Sequence, residues 1–390
     1  MGAHDLRVLE LRPVEDLLAA NAQMFPAVTS LRNLKSIDMD GLYCQTNQAV
    51  ELLQQITSDL VSATLHPYDY RFDSAEPEGA PDILTMLSKF RQSLTQIRIS
   101  YPLRELNGFG HGIIFPQVRK LSVEAGFWIR PSLGALAYAF PGLNQLVWHY
   151  DPPAPNEMEE SREENSSEHY QSWLHCDSLS CSARWGYALC LRSPVRYWNC
   201  RYLSAEKEFP DYFLTALSEI RPENLRLNLH LEASQASLEH ITNLFPPVGI
   251  AHLDVTISSR LFFNGMRSGE FYGKVLMMLG KGISSLAQLR SLALHVCVDV
   301  NEFHTEHKGL DLAKINAIAL GRRLAHHAPQ LTHASFKLSR ETRISELETE
   351  LEEYMRFSRD KSVGNIVHER LTLQAGRELL KSSLLVAMEF

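Results

Sequence analysis

The sequence lacks any hydrophobic segment long enough to cross a membrane. A bilayer-spanning helix needs about 20 apolar residues, and the apolar run Val275–Leu279 has only five. Asp5 and Arg7 make the N-terminus charged at once, so it shows no secretory signal. Leu6 stands where a myristoylation signal has Ser or Thr. We therefore expect no transmembrane helix, no lipid anchor and no membrane partner.

Cysteine and surplus positive charge are also scarce. Six cysteines in 390 residues, without a secretory signal, predict reduced thiols in a cytoplasmic or nuclear protein. The formal net charge is -8, of which residues 151–168 carry -6, since seven acids there face Arg162 alone. The other 372 residues carry only -2. A nearly neutral body lacks the concentrated positive charge that attracts phosphate backbones, so we expect no nucleic-acid partner.

One phrase recurs along the chain. It is an apolar helical stretch, often with Phe-Pro, followed by Leu-x-x-Leu-x-Leu or a close variant. The penultimate apolar residues of its copies are Leu9, Ile37, Ala63, Ile97, Leu121, Leu146, Leu227, Leu253, Leu292 and Ala334. The steps between them are 28, 26, 34, 24, 25, 81, 26, 39 and 42 residues. The short steps match the about 20–29 residues of leucine-rich repeats, the step of 81 is three such periods, and the long steps imply insertions.

The phrase has a simple physical meaning. In a strand, the two apolar residues of Leu-x-Leu point into the core, and the residue between them faces solvent. The solvent-facing positions are then Glu10, Asp38, Thr64, Arg98, Ser122, Val147, Arg226, Asn228, Asp254, Ala293 and Ser335. Amphipathic stretches at 133–140, 212–220, 238–245 and 315–324 predict helices behind the strands. A proline after Phe ends such a helix.

These features predict an α/β leucine-rich repeat solenoid, with a curved parallel sheet, helices on the outer face and irregular repeats. Residues 1–338 form the solenoid, interrupted at about 151–169 by an acidic, proline- and serine-rich insert that we expect to be disordered. Trp185–Leu191 and Val195–Tyr202 are predicted strands. Residues 339–390 form a helical cap, with one helix over 341–358 and another over 375–388. An ordinary doubly wound α/β domain is the alternative.

The Phe-Pro-x-Val/Leu-x-x-Leu-x-Val/Trp phrases at 115–123 and 140–148 resemble the irregular repeats of fungal F-box proteins with leucine-rich repeats. The resemblance covers most of residues 1–338. It implies a substrate receptor of a cullin-based ubiquitin ligase, whose repeats hold the substrate and whose F-box docks to the ligase adaptor. No F-box is found here. Residues 12–21 look superficially like an F-box opening, but they lie between two repeat phrases, so we expect 14–24 to be the first repeat's helix.

No motif indicates a catalytic, cofactor or metal site. Cys176, Cys181, Cys190 and Cys200, with His169 and His175 nearby, lack the paired ligands two to four residues apart of structural zinc sites. The glycines at 108–112 are not followed by a helix N-terminus, and the segment 280–282 lacks the hydroxyl residue of a Walker loop. We therefore expect no enzyme, no cofactor and no metal.

The remaining function is binding of a protein whose identity the sequence does not give. The segments that follow strands contain aromatic and arginine residues, and a solenoid would bring these segments to one edge. The predicted protein-binding residues are Trp128, Arg130, Trp148, Tyr150, Phe262, Phe263 and Arg267. A substrate receptor would contact the ligase adaptor if an F-box lies upstream. Two alternatives remain, a free-standing repeat scaffold without a ubiquitin role and an α/β enzyme with a sheet mistaken for repeats.

Overall fold

A computed structural model describes most of the chain as two compact units, Met1–Ser193 and Pro194–Phe390. The described residues are 5–43, 48–68, 83–100, 112–124, 132–149, 155–167, 176–204, 209–231, 240–260, 268–300, 317–342, 347–359 and 366–380. None of the helices in these ranges is long and apolar enough to cross a membrane.

The first unit alternates strands with helices. Its strands are β1 (Val8–Leu11), β2 (Ser36–Tyr43), β3 (Ser62–Tyr68), β4 (Gln96–Ser100), β5 (Lys120–Glu124), β6 (Gln145–His149) and β7 (Ser178–Cys181). Its helices are α1 (Val14–Ala20), α2 (Met24–Thr29), α3 (Gln48–Gln55), α4 (Ile83–Leu87), α5 (Leu133–Ala139), α6 (Pro155–Ser167) and α7 (Ala183–Leu189), and a 3₁₀ turn spans Ser88–Phe90. The strands lie side by side in chain order, and all neighbours are parallel.

The register of the first unit confirms the repeated core position. Leu9, Ile37, Ala63, Ile97, Leu121 and Leu146 lie directly opposite one another, and Leu179 of β7 continues the row. Ile37 to Leu179 in this row are fully buried. Because parallel strands in chain order need right-handed crossovers, every helix falls on the same side of the sheet. The other side of the sheet carries the predicted solvent-facing row from Glu10 to Val147.

The Phe-Pro phrases have two different structures. Phe140 follows the last turn of α5, its backbone N–H bonds to Leu136 O, and its ring stacks on Phe115 at 5.7 Å. There proline stops a helix, as predicted. Phe25 and Pro26 instead lie in the first turn of α2, so the same prediction was wrong at this copy. Proline is tolerated in a first turn because the backbone N–H there has no intrahelical partner.

The acidic segment is a helix, not a disordered insert. Met158, Ser161 and Asn165 of α6 are buried with helical spacing, and the glutamates face outward. The prediction failed because it counted only apolar residues as able to be buried. The segment 185–191 is likewise not a strand. Ser182 caps α7 by accepting the Trp185 backbone N–H, and Trp185, Ala188 and Leu189 are buried with helical spacing.

The second unit contains the remaining elements. Its strands are β8 (Tyr197–Ser204), β9 (Asn224–Leu231), β10 (His252–Arg260), β11 (Ser291–Val300), β12 (His333–Thr342), β13 (Leu347–Arg359) and β14 (Ile366–Leu371). Its helices are α8 (Phe209–Ile220), α9 (Ser268–Ile283), α10 (Ala317–His327) and α11 (Leu373–Leu380). Strands β8 to β12 are parallel and in chain order, whereas β13 and β14 are antiparallel. The strand predicted at 195–202 is β8, and β7 and β8 fill the long step between copies.

The predicted C-terminal helical cap is largely wrong. Residues 347–359 form β13, which pairs with β12 and then with β14. The apolar residues of this segment fit one face of a helix and also one face of a strand. The strand forms because it pairs with β12, which would otherwise be an exposed edge of the sheet. Met355 and Phe357 point toward the core, where Gly321 of α10 approaches both side chains closely. Of the helix predicted at 375–388, the described residues include α11 (Leu373–Leu380), which begins two residues earlier.

Candidate binding face

The second unit presents one side of its sheet away from helices α8 to α10. In β9, Leu225, Leu227, Leu229 and Leu231 are buried, whereas the alternating residues Arg226, Asn228 and His230 are half-buried. The pattern is that of a strand with helices on one side only. We call the side of β9 to β13 that carries Arg226, Asn228 and His230 the open face.

The register arranges the open face in rows that cross the strands. The first row is Asn224, His252, Ser291, His333 and Arg356, and the second is Arg226, Asp254, Ala293, Ser335 and Tyr354. The third is Asn228, Thr256, His295, Lys337 and Glu352, and the fourth is His230, Ser258, Cys297 and Ser339. With about 4.8 Å between strands, the face measures about 20 Å across. That width fits a segment of a protein partner.

Hydrogen bonds link neighbouring strands across this face. His230 Nδ1 lies 3.1 Å from Ser258 Oγ, and His295 Nε2 lies 2.6 Å from Ser339 Oγ. Arg226 Nε lies 3.4 Å from Asp254 Oδ2. His252 Nδ1 and Ser291 Oγ, which face each other in the register, are buried without a hydrogen-bond partner among the described residues. The face is thus a polar lattice held together by contacts between its own side chains.

Three histidines of the open face have lowered pKa values. Burial, together with the positive charges of Lys337 and Arg226, lowers the pKa of His295 to about 4. Burial is also the main cause that lowers the pKa of His252 and of His333. A neutral imidazole offers one donor and one acceptor. At neutral pH these rings therefore suit hydrogen bonding to an uncharged polar partner.

The pKa of the Asp254 carboxyl group is raised above that of a carboxyl group in water. Burial raises its pKa, and Arg226 opposes that shift by stabilising the ionised form. Perturbed titrating groups cluster on this face within the second unit, and such clusters are typical of functional sites. The open face of the second unit is therefore the best candidate site among the described residues.

The serine–histidine contact is not arranged for catalysis. Ser339 is fully buried, so its hydroxyl has no path to a substrate. A histidine with a pKa of about 4 is also a weak general base near neutral pH. The geometry favours a structural hydrogen bond that fixes the orientation of the His295 ring.

The first unit has an open face of different chemistry. Asp38 pairs with Arg12 and lies 3.4 Å from His66, and Glu124 lies 2.6 Å from Arg98 and 3.6 Å from His149. These side chains are partly exposed, and exposed ion pairs are screened by solvent. This face is a surface of partly exposed ion pairs, whereas the open face of the second unit adds hydroxyls and neutral imidazoles to its charged residues Arg226, Asp254, Lys337 and Glu352.

The predicted aromatic site is tested at one residue only. Trp148 is 1% exposed, and its ring meets that of Trp185 edge to face at 5.9 Å. Its assignment to an exposed edge was wrong, because it lies opposite Val123 in a core row of the sheet. Trp128, Arg130, Tyr150, Phe262, Phe263 and Arg267 lie outside the described residues. Their binding role stays a prediction.

Sequence reasoning reached the second row of the open face and Asn228 of the third row, but not the histidines beside them. Arg226, Asp254, Ala293 and Ser335 were predicted to face solvent and lie together as expected. His252, His295, His333 and Lys337 were missed. Each of the four lies two residues from a predicted solvent-facing position of its strand, so extending the alternation by two residues would have found them.

The cysteines do not form a metal site within the described residues. Cys176, Cys181, Cys190, Cys200 and Cys297 are buried free thiols, and burial raises the pKa of Cys176 to about 12. His169 and His175 lie outside the described ranges. No group of three or more His, Cys, Asp or Glu side chains in the described part of the chain is able to hold a metal ion.

Comparison with models of protein families gives no match to this chain, and comparison with curated proteins gives none either.

Proposed function

We propose that this chain is a leucine-rich repeat scaffold that binds another protein on the open face of its second unit. The observation that supports the proposal is the open face itself: parallel strands in chain order, covered by helices on one side, present rows of hydrogen-bonding groups on the other. A face of this kind supplies surface and no chemistry. Neutral histidines and hydroxyls match the backbone and polar side chains of a protein better than a phosphate backbone.

The resemblance to F-box proteins refines this proposal. In a cullin-based ubiquitin ligase, the chain would act as substrate receptor in the cytoplasm or nucleus and hold its substrate near the ubiquitin-charged enzyme. The buried free thiols of both units suit a reducing compartment. The same open face supports this role, because a receptor acts by positioning a bound protein.

The test is affinity capture with two matched variants. Asn228→Arg with Thr256→Arg places two long cations on the open face, at half-buried positions. Ser218→Arg with Met277→Arg makes the same charge change at exposed positions of helices α8 and α9. We expect the first variant to lose at least about tenfold in affinity for captured proteins, because a blocked contact of 1.4 kcal/mol or more has that effect. The second variant should retain them.

Loss of capture by both variants, or by neither, would contradict binding on the open face. Co-purification of the cullin adaptor, with ubiquitin modification of a captured protein, would support the receptor role. Capture without either would leave a free-standing scaffold.

A further inference from the structure

The C-terminal helix α11 lies on the open face of the second unit. Along β13, Met355 faces the core opposite Ala334, and Tyr354 faces the other side opposite Ser335. A side chain at Gly376 of α11 would overlap the ring of Tyr354. The helix backbone therefore rests directly on an open-face aromatic ring, on the side of the sheet away from α10.

One bidentate ion pair fixes the orientation of this helix. Arg377 Nε donates to Glu352 Oε1 at 2.9 Å, and Nη2 donates to Oε2 at 2.6 Å. Tyr354 Oη donates to the same carboxylate. Glu352 lies in the third row of the open face, opposite Lys337. The planar guanidinium matches the carboxylate in a way that a lysine ammonium does not.

Most of the described side chains of α11 are exposed. Leu373, Gln374, Ala375, Arg377 and Glu378 are exposed, Leu379 is half-buried, and Gly376 is buried. The Arg377 side chain is 58% exposed and that of Glu352 is 13% exposed, so solvent weakens this ion pair on its arginine side. A helix of eight residues is also unstable by itself. Covalent attachment, which gives the helix an effective concentration of about 1 mM, is what keeps it in place.

We propose that α11 is a built-in occupant of a helix-docking site, and that the site binds a partner helix carrying a small residue followed directly by arginine. The inference rests on the proposed protein-binding function and specifies the partner's chemistry. The small residue is required because the Tyr354 ring leaves no room for a side chain. The arginine is required because Glu352 presents both carboxylate oxygens to it. A partner helix with this pair displaces α11.

A fluorescent peptide of residues 372–383 tests the proposal on the full-length chain. In the wild type, α11 occupies the site and competes with the peptide. Arg377→Glu in the chain repels α11 from Glu352 and leaves the site intact, so peptide binding measured by anisotropy should tighten, because a tethered competitor at an effective concentration of about 1 mM is removed. Gly376→Leu in the chain should give the same gain by clashing with Tyr354.

Two controls make the outcome decisive. A peptide carrying Arg377→Glu should not bind any of these chains. The chain with both Glu352→Arg and Arg377→Glu restores the pair with reversed charges, so α11 should again occupy the site and exclude even the charge-matched Arg377→Glu peptide. Equal peptide binding by the wild type and by both released variants would overturn the proposal, as would equal binding of the two peptides. Such a result leaves the capture experiment unaffected, so the two failures are distinguishable.

Discussion

Two charged segments of equal length form different secondary structures, α6 a helix and β13 a strand. Each has thirteen residues, α6 with five glutamates and β13 with four. The acidic surface of α6 faces outward on a helix. The corresponding charges of β13 lie on a strand between two other strands. Composition therefore does not decide the structure of either segment.

The difference lies in which backbone groups each segment satisfies. Asn165 of α6 accepts the Leu133 backbone N–H at 2.8 Å and donates to Ala188 O at 2.9 Å, which joins the start of α5 to the end of α7. β13 instead pairs with the whole edge of β12. Unpaired N–H and C=O groups cost free energy when buried. The backbone groups that α5 and α7 leave unpaired favour a helix in α6. The backbone groups along the edge of β12 favour a strand in β13.

The largest expected effect tests the strand structure of β13. Phe357 is 4% exposed, but the helical stripe of the same segment would leave it on the polar side. Phe357→Ala should therefore lower the free energy of unfolding by about 3–5 kcal/mol, as for other buried phenylalanines. Urea denaturation followed by circular dichroism measures the change.

Ser358→Ala is the matched control, because Ser358 is the exposed neighbour of Phe357. It should change the free energy of unfolding by less than about 0.5 kcal/mol. An effect of similar size at both positions would contradict the alternation of β13.

The next effect tests the polar anchor of α6. Asn165→Leu leaves a buried N–H and a buried C=O without their partner, and each such group costs about 1–3 kcal/mol. We expect a loss of about 2–4 kcal/mol in the same denaturation experiment. Glu163→Ala, at an exposed position of the same helix, should be nearly neutral. If Asn165→Leu were as mild as Glu163→Ala, α6 would not be anchored as described.

The repeats were predictable because they depend on local alternation. Leu-x-Leu has one inward arrangement in a strand, so Ile37, Leu121 and Leu146 fall into one row once the strands pair. The step of 81 residues between copies also left room for two strands, and β7 and β8 lie there. Even here the register differs in one copy, since Leu253 lies opposite Leu225 and not Leu227.

The errors depend on contacts between distant residues. The capping role of Asn165 exists only when α5 and α7 lie beside α6, and nothing within 155–167 indicates it. Period-two spacing misassigned α7, where small residues such as Gly186 and Ala188 let a helix bury Trp185. The open-face site was half predicted. Its positions follow from alternation, but the pKa of His295 depends mainly on burial and then on Lys337, 42 residues away.

The smallest effect concerns the acid response of β13. The hydrogen bonds from Arg377 are the main cause that lowers the pKa of Glu352 from 4.5 to about 2, and burial opposes them. The unfolded chain therefore takes up this proton first, so the stabilisation is complete above pH 4.5 and is lost as pH falls toward 2. Glu352→Gln should remove this part of the acid sensitivity, by a small amount because Arg377 is exposed.

Arg377→Met serves as the matched variant for this titration, since it removes the main cause of the shift and leaves the carboxylate. Denaturation midpoints at about pH 6 and about pH 3 should fall less in both variants than in the wild type. Combining the two changes should produce no further flattening, because both remove the same interaction. Additive effects would mean that Glu352 gains its stabilisation from a group other than Arg377, and the contact between α11 and β13 would then not be its source.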